Sequence, residues 1–196
     1  MNIKSDFDYL EKICLLGQST VGKTNLIIRF VDNKYNPDIL STAGFDYKSK
    51  TISLKHSKKK VKLKIYDTAG QEKYMAVCKY IYKQTDGIIL VYDITSRESY
   101  EYIPQWIQEI KKYNKHLPIF LIGNKIDDEE NRLISFEEGK KFADENNMEF
   151  IYVDYSAGRV SKTFVFPKEQ QIINLNGVHI KVLYADEEGI EYILLN

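Results

Sequence analysis

The stretch from Lys12 to Phe30, "KICLLGQSTVGKTNLIIRF", constrains the fold more than any other part of the chain. An apolar strand-like run, a glycine-bounded loop tipped by a lysine, and a helical pattern follow one another without a spacer. A strand that turns through a tight loop straight into a helix opens a strand–helix–strand unit, and such units build parallel sheets. The same rhythm continues to about residue 155. "KSKTISL" and "KKVKLKIYD" alternate with period two around a lysine-rich turn and predict a hairpin. "EKYMAVCKYIYKQ" reads as an irregular helix, and "GIILVYDI" as a strand buried on both faces.

In "SYEYIPQWIQEIKKY" the residues Ile103, Trp106, Ile107, Ile110 and Tyr113 recur at helical spacing and belong to the core, Trp106 included. Pro104 requires the helix to begin close to it. "LPIFLIG" is another buried strand. "SFEEGKKFADEN" opens with a capping box, Ser135 to Glu138, and predicts a helix. "MEFIYVDYSA" is the last strand of the series. The pattern predicts an α/β, three-layer fold: a mostly parallel six-stranded sheet with helices on both faces. Ligands of such sheets bind beyond the carboxyl ends of the strands, where the opening loop lies.

After Gly158 the rhythm breaks. Val178, Ile180, Val182 and Tyr184 alternate with polar residues, and Asn176–Gly177 is a two-residue hairpin signal. A β-rich C-terminal tail, a small meander, is expected over 159–196, appended to a domain spanning 1–158.

Charge excludes one class of partner. Basic and acidic residues number 28 each, whereas a duplex-binding protein carries a basic excess, so no nucleic acid is expected. The run "KHSKKK", Lys55 to Lys60, is either a solvated hairpin tip or an anionic docking site. Cys14 and Cys78 make no disulfide framework and read as packing residues in a reducing cytosol. The N-terminus has no signal-peptide core and no glycine after Met1. The longest apolar run is too short to span a bilayer, and the last residues hold no cysteine for prenylation.

Four motifs carry chemistry. "GQSTVGKT", from Gly17 through Ser19, Thr20, Val21 and Gly22 to Lys23 and Thr24, fits the phosphate-binding pattern in its required strand–loop–helix setting. Backbone N–H groups can converge there on phosphate oxygens at a helix N-terminus. Lys23 can reach the β- and γ-phosphates, and the Thr24 hydroxyl can coordinate Mg²⁺. "LIGNKID" ends a buried strand with Asn124, Lys125 and Asp127. A carboxylate at Asp127 can accept from guanine N1–H and the 2-amino group. Adenine offers neither, and losing two such bonds costs several kcal/mol at roughly 1.5–3 each. "YDTAGQE" places Asp67 to hold the metal, Gly70 to offer its N–H to a γ-phosphate, and Gln71 to orient an attacking water. Thr42 in "LSTAGFDY" can complete the metal shell and meet the γ-phosphate, a role that rests on the other three motifs.

With these motifs in order the chain resembles the Ras superfamily of small GTPases, and most closely its Rab branch, over about residues 10 to 158. "TAGFDY", "LKIYDTAGQEKY", "LVYDITSRESY" and "IPQWIQEI" are similar to Rab segments. The resemblance implies the P-loop NTPase (Ras-like) fold and a GTP/GDP switch that hydrolyses GTP. It implies mobile segments near 35–47 and 67–82, through which effectors, an exchange factor and a GTPase-activating protein act. It also implies Tyr35 as the aromatic against the guanine edge and Ser156–Ala157 as backbone donors to the guanine carbonyl.

Three departures stand out. Gly158 takes the place of a lysine usual after that "SA". Thr20 replaces a glycine common in the phosphate loop. The β-like tail stands where the family has a closing helix and a cysteine-bearing end. No arginine lies in either switch segment, so hydrolysis is expected to be slow until a partner supplies one. The competing class is a guanine-nucleotide-binding scaffold that barely switches, and an ATPase is a third. Tyr47, Tyr66 and Tyr82 are either an effector face or ordinary packing. With no lipid acceptor in this chain, a cytoplasmic protein is expected, brought to membranes by partners or by a lipidated end beyond Asn196.

Overall fold

The computed structural model describes residues 6–37, 39, 45–54, 59–68 and 81–154, and the backbone of strands at 161–165, 172–175, 178–186 and 189–195; side chains are described through Ile151, Phe45 excepted. The elements run β1 (Tyr9–Leu16), α1 (Lys23–Asp32), β2 (Phe45–Ser53), β3 (Lys60–Thr68), β4 (Gly87–Asp93), α2 (Arg97–Glu101), α3 (Ile103–Tyr113), β5 (Ile119–Asn124), α4 (Phe136–Glu145) and β6 (Glu149–Asp154). The tail adds β7 (Ser161–Val165), β8 (Ile172–Leu175), β9 (Val178–Asp186) and β10 (Gly189–Leu195).

The main sheet has the order β2-β3-β1-β4-β5-β6-β7. Strands β3, β1, β4, β5 and β6 are mutually parallel, and β2 is antiparallel to β3. The six expected strands are therefore present, and the tail lengthens the sheet by one, because β7 pairs antiparallel with β6. The remaining tail strands form the expected meander. Leu175 pairs with Val178 across the two-residue Asn176–Gly177 connection, and β9 pairs antiparallel with β10.

Both sheet faces are covered. Leu15, Val21, Ile27, Ile65, Val91 and Ile122 pack together on the α1 side. On the other side Cys14, Leu90 and Leu121 meet Trp106, Ile107 and Ile110 of α3 and Ala143 of α4. The burial of Trp106 and Cys14 places both in the core, as their sequence setting predicts. Cys78 and most of the expected helix at 72–84 lie outside the described residues, as do Lys55 to Lys58 of the lysine-rich turn.

Two helix starts follow sequence rules with a twist. The helix expected over "SYEYIPQWIQEIKKY" is two: α2 stops at Glu101 and α3 starts at Ile103, which brings Pro104 into a first turn that needs no N–H from it. The Ser135 hydroxyl accepts from Glu138 N at 3.0 Å, one limb of the expected capping box. The reciprocal limb is diverted, because the Glu138 carboxylate pairs with Arg97. Among the described residues no helix is long and apolar enough to cross a membrane.

Candidate functional site

The order of the sheet reverses beside β1, which has β3 on one side and β4 on the other. The carboxyl ends of β1, β3, β4 and β5 therefore open onto one crevice. The loop from Gly17 leaves β1 there and enters α1 at Lys23. Gly22 is the N-cap of α1 with φ 95°, and no side chain caps that end, so the first N–H groups of the helix face the loop.

Two glycines of the loop have no room for a side chain. A Cβ at Gly17, where φ is 145°, would sit 2.2 Å from the Val91 carbonyl oxygen. A Cβ at Gly22 would sit 2.4 Å from Asn124 Nδ2. That amide donates instead to the Val21 carbonyl at 2.7 Å, fastening the phosphate-type loop to the end of β5. Thr20 adopts φ 65°, the left-handed backbone that suits the glycine it replaces.

Lys23 is buried, and its Nζ donates to the carbonyls of Gly17 at 2.9 Å and Gln18 at 2.7 Å. The ammonium is held over the loop whose N–H groups and helix end already favour an anion. The Thr24 hydroxyl donates to Asp67 Oδ2 at 2.7 Å. Two of the three residues expected to hold Mg²⁺ are therefore adjacent, Thr24 at the start of α1 and Asp67 at the end of β3, and Thr42 lies outside the described residues. A hydroxyl and a single carboxylate form the sparse hard-oxygen set that suits Mg²⁺ shared with phosphates. The cradle fits a phosphate chain, and the oxygen pair fits its metal.

At the end of β5, Lys125 takes a left-handed backbone with φ 64° and reaches back to Asp93, 2.6 Å from its Oδ2. Asp93 Oδ1 in turn accepts from the N–H and hydroxyl of Thr95 at 2.9 and 2.7 Å. Asp93 and Thr95 are supporting residues that the motifs did not single out, although both stand in the "LVYDIT" segment. Asp127 is exposed in the turn that follows. Thr68, also unforeseen, donates to the Leu15 carbonyl at 2.7 Å and ties the end of β3 to β1.

Tyr35 is 59% exposed beyond α1. Thr42, Gly70, Gln71, Ser156, Ala157 and Gly158 lie outside the described residues. Of the three tyrosines weighed as an effector face, Tyr82 is fully buried, with its ring 5.8 Å from Tyr113, and belongs to the core. Tyr47 is 52% exposed, and Tyr66 meets it edge-on at 6.2 Å.

The family model described as "Ras family" matches residues 12–166. The chain belongs to the Ras family. This Ras-family chain is 43% identical to GTP-binding protein YPT1 of Saccharomyces cerevisiae over 150 residues, which is 76% of the chain and 72% of that relative. It is 43% identical to Ras-related protein Rab-1 of Theileria parva over 148 residues, 74% of the chain and 66% of the relative. Against Ras-related protein Rab-3A of Homo sapiens the identity is 42% over 146 residues, with the same two shares. It is a small GTPase close to the Rab branch, and its reaction is the hydrolysis of GTP to GDP and phosphate.

Proposed function

We propose that this chain is a Rab-like molecular switch in vesicle and membrane trafficking, alternating between Mg·GTP and GDP. The observation that supports it best is the meeting, in a Ras-family chain, of the Gly17–Thr24 loop with Asp67 and Asn124 at one end of the sheet. In this reading the backbone of Gly17, Ser19, Thr20, Val21 and Gly22 cradles the phosphates, and Lys23 neutralises their charge. Mg²⁺ held by Thr24, Thr42 and Asp67 would supply further positive charge at the transferring phosphoryl group. Gln71 orients the attacking water, and Thr42 and Gly70 report the γ-phosphate to the two switch segments.

Asp127 accepts from the guanine edge, Lys125 and Tyr35 flank the base, and Ser156 and Ala157 donate to its carbonyl. Gly158 leaves one wall of that pocket thinner than a lysine would. Residues 1–158 form the G domain, with 159–196 as a β-rich extension. Effectors, an exchange factor and an activating protein that contributes an arginine act through the switch segments. The protein works in the cytoplasm and is recruited to a membrane.

Limited tryptic cleavage tests the switch. The segments near 35–47 and 67–82 should be cut at different rates with GDP and with a non-hydrolysable GTP analogue. Identical patterns would favour a scaffold that binds nucleotide without switching. Gln71→Leu should abolish most hydrolysis while GTP affinity is retained, read by single-turnover phosphate release beside equilibrium titration. Native-rate release by that variant removes Gln71 from its role.

A further inference from the structure

The hairpin β2–β3 concentrates charge that the nucleotide site does not use. Eight lysines and no acidic residue fall between Lys48 and Ile65, in a chain whose basic and acidic residues are equal in number overall. The two faces of the hairpin treat them differently. On the α1 face Lys48 pairs with Asp32 at 2.8 Å, and Lys50 lies over the Phe30 ring at 4.7 Å while donating to the Phe30 carbonyl. On the opposite face Lys60, Lys62 and Lys64 alternate with Val61, Leu63 and Ile65, so they form one column along β3. The column repeats every two residues, roughly 7 Å.

No carboxylate forms an ion pair with this column among the described residues. Its cross-strand partners on β2 are Ser53, Thr51 and Ser49, small and uncharged. On the other side Lys64 stands in register with Lys12, a further cation. Asp8, the nearby acid, accepts from the Lys60 backbone N–H at 2.6 Å. Aromatic rings hold the ammonium groups instead: Lys62 lies 5.4 Å from the Phe7 ring, and Lys64 lies 3.9 Å from Tyr47 and 5.2 Å from Tyr66.

We propose that Lys60, Lys62 and Lys64 form a docking surface for an acidic, extended segment of a partner protein, whose alternate carboxylates meet the three ammonium groups. Charge complementarity chooses the sign of the partner. Geometry chooses its class. Lys62 and Lys64 are half-buried and positioned by rings, at the spacing of alternate residues in an extended peptide. A side-chain carboxylate can enter between such neighbours, whereas a planar lipid surface reaches cations that extend freely into solvent. The column lies along β3 below the nucleotide end, so this inference does not depend on the switch reading.

The test uses the full chain as purified. A labelled octapeptide alternating glutamate and serine is titrated by fluorescence anisotropy, and vesicles of phosphatidylcholine mixed with phosphatidylserine are tested by co-sedimentation. The peptide should bind, and Lys60→Glu/Lys62→Glu/Lys64→Glu should weaken it about tenfold or more. Lys62→Gln/Lys64→Gln, a milder change that guards against misfolding, should weaken it in the same direction, with circular dichroism confirming the fold. Reversal of exposed lysines elsewhere, Lys111→Glu/Lys115→Glu, should leave it unchanged. Equal weakening by that control, or no weakening by the glutamine pair, overturns the proposal. So does vesicle binding that needs the three lysines while the peptide fails to bind, which would make the surface a membrane contact.

Discussion

At the scale of single residues the phosphate loop is a set of backbone requirements, and two of them can be ranked by cost. Thr20 carries a β-branched side chain at φ 65°. A left-handed backbone costs such a residue roughly 1–2 kcal/mol, and glycine would recover it while giving back about 0.4–1 kcal/mol through a freer unfolded chain. Thr20→Gly should therefore stabilise the protein by about 0.5–1 kcal/mol in urea denaturation; a loss of stability would show that the threonine has a compensating contact. Gly17→Ala runs the other way. Its Cβ meets the Val91 carbonyl at 2.2 Å, and backbone cannot swing aside as a side chain can. The expected cost is on the order of 3 kcal/mol, with loss of nucleotide retention on gel filtration. Gly17 was legible in the sequence, because the motif names it. Asp93 was not, because it acts through Lys125 from another strand, and only the fold brings the two together.

At the scale of elements, α4 shows propensity and packing in opposition. Gly139 sits inside this helix, where alanine would be favoured by about 1 kcal/mol. A Cβ there would lie 2.3 Å from the Tyr92 hydroxyl and 2.6 Å from Phe150 Cζ, and both rings are buried. Overpacking of this kind costs about 1–3 kcal/mol, so Gly139→Ala should lower the thermal midpoint despite the better helix former. An unchanged or raised midpoint would mean that α4 can lift from the sheet at no cost. The glycine's purpose was illegible along the chain, since its neighbours come from β4 and β6. By contrast the apolar stripe of α3 was legible, because a period of 3.6 residues is written locally. The break at Tyr102 was hidden because the stripe runs up to Ile103 and the capping Ser96 lies before it.

At the scale of the whole molecule, β6 is where the parallel sheet meets the tail. The parallel order of β1, β3, β4, β5 and β6 followed from the strand–helix alternation, yet nothing in that alternation says where a later strand will pair. A titratable side chain also stands in β6. Glu149 pairs in register with Phe120, its Oε2 is buried without a hydrogen-bond partner, and Asp144 is a neighbouring negative charge. Burial first, and Asp144 second, push its carboxyl up from 4.5 to about 7. The folded protein thus holds a proton that the unfolded chain releases above its ordinary carboxylate range. Stability attributable to this group is highest at acid pH, falls as pH rises from about 4.5 to about 7, and stays reduced above that. Replacing the carboxyl by an amide removes the titration at nearly constant shape. Glu149→Gln should match the wild type near pH 4.5 in urea denaturation. Near pH 8 it should be more stable by about 1–2 kcal/mol, less than the full shift would give because solvent still reaches part of the side chain. The same difference at both pH values would show that packing of the amide, and not a charge held in the sheet, sets the stability of this edge.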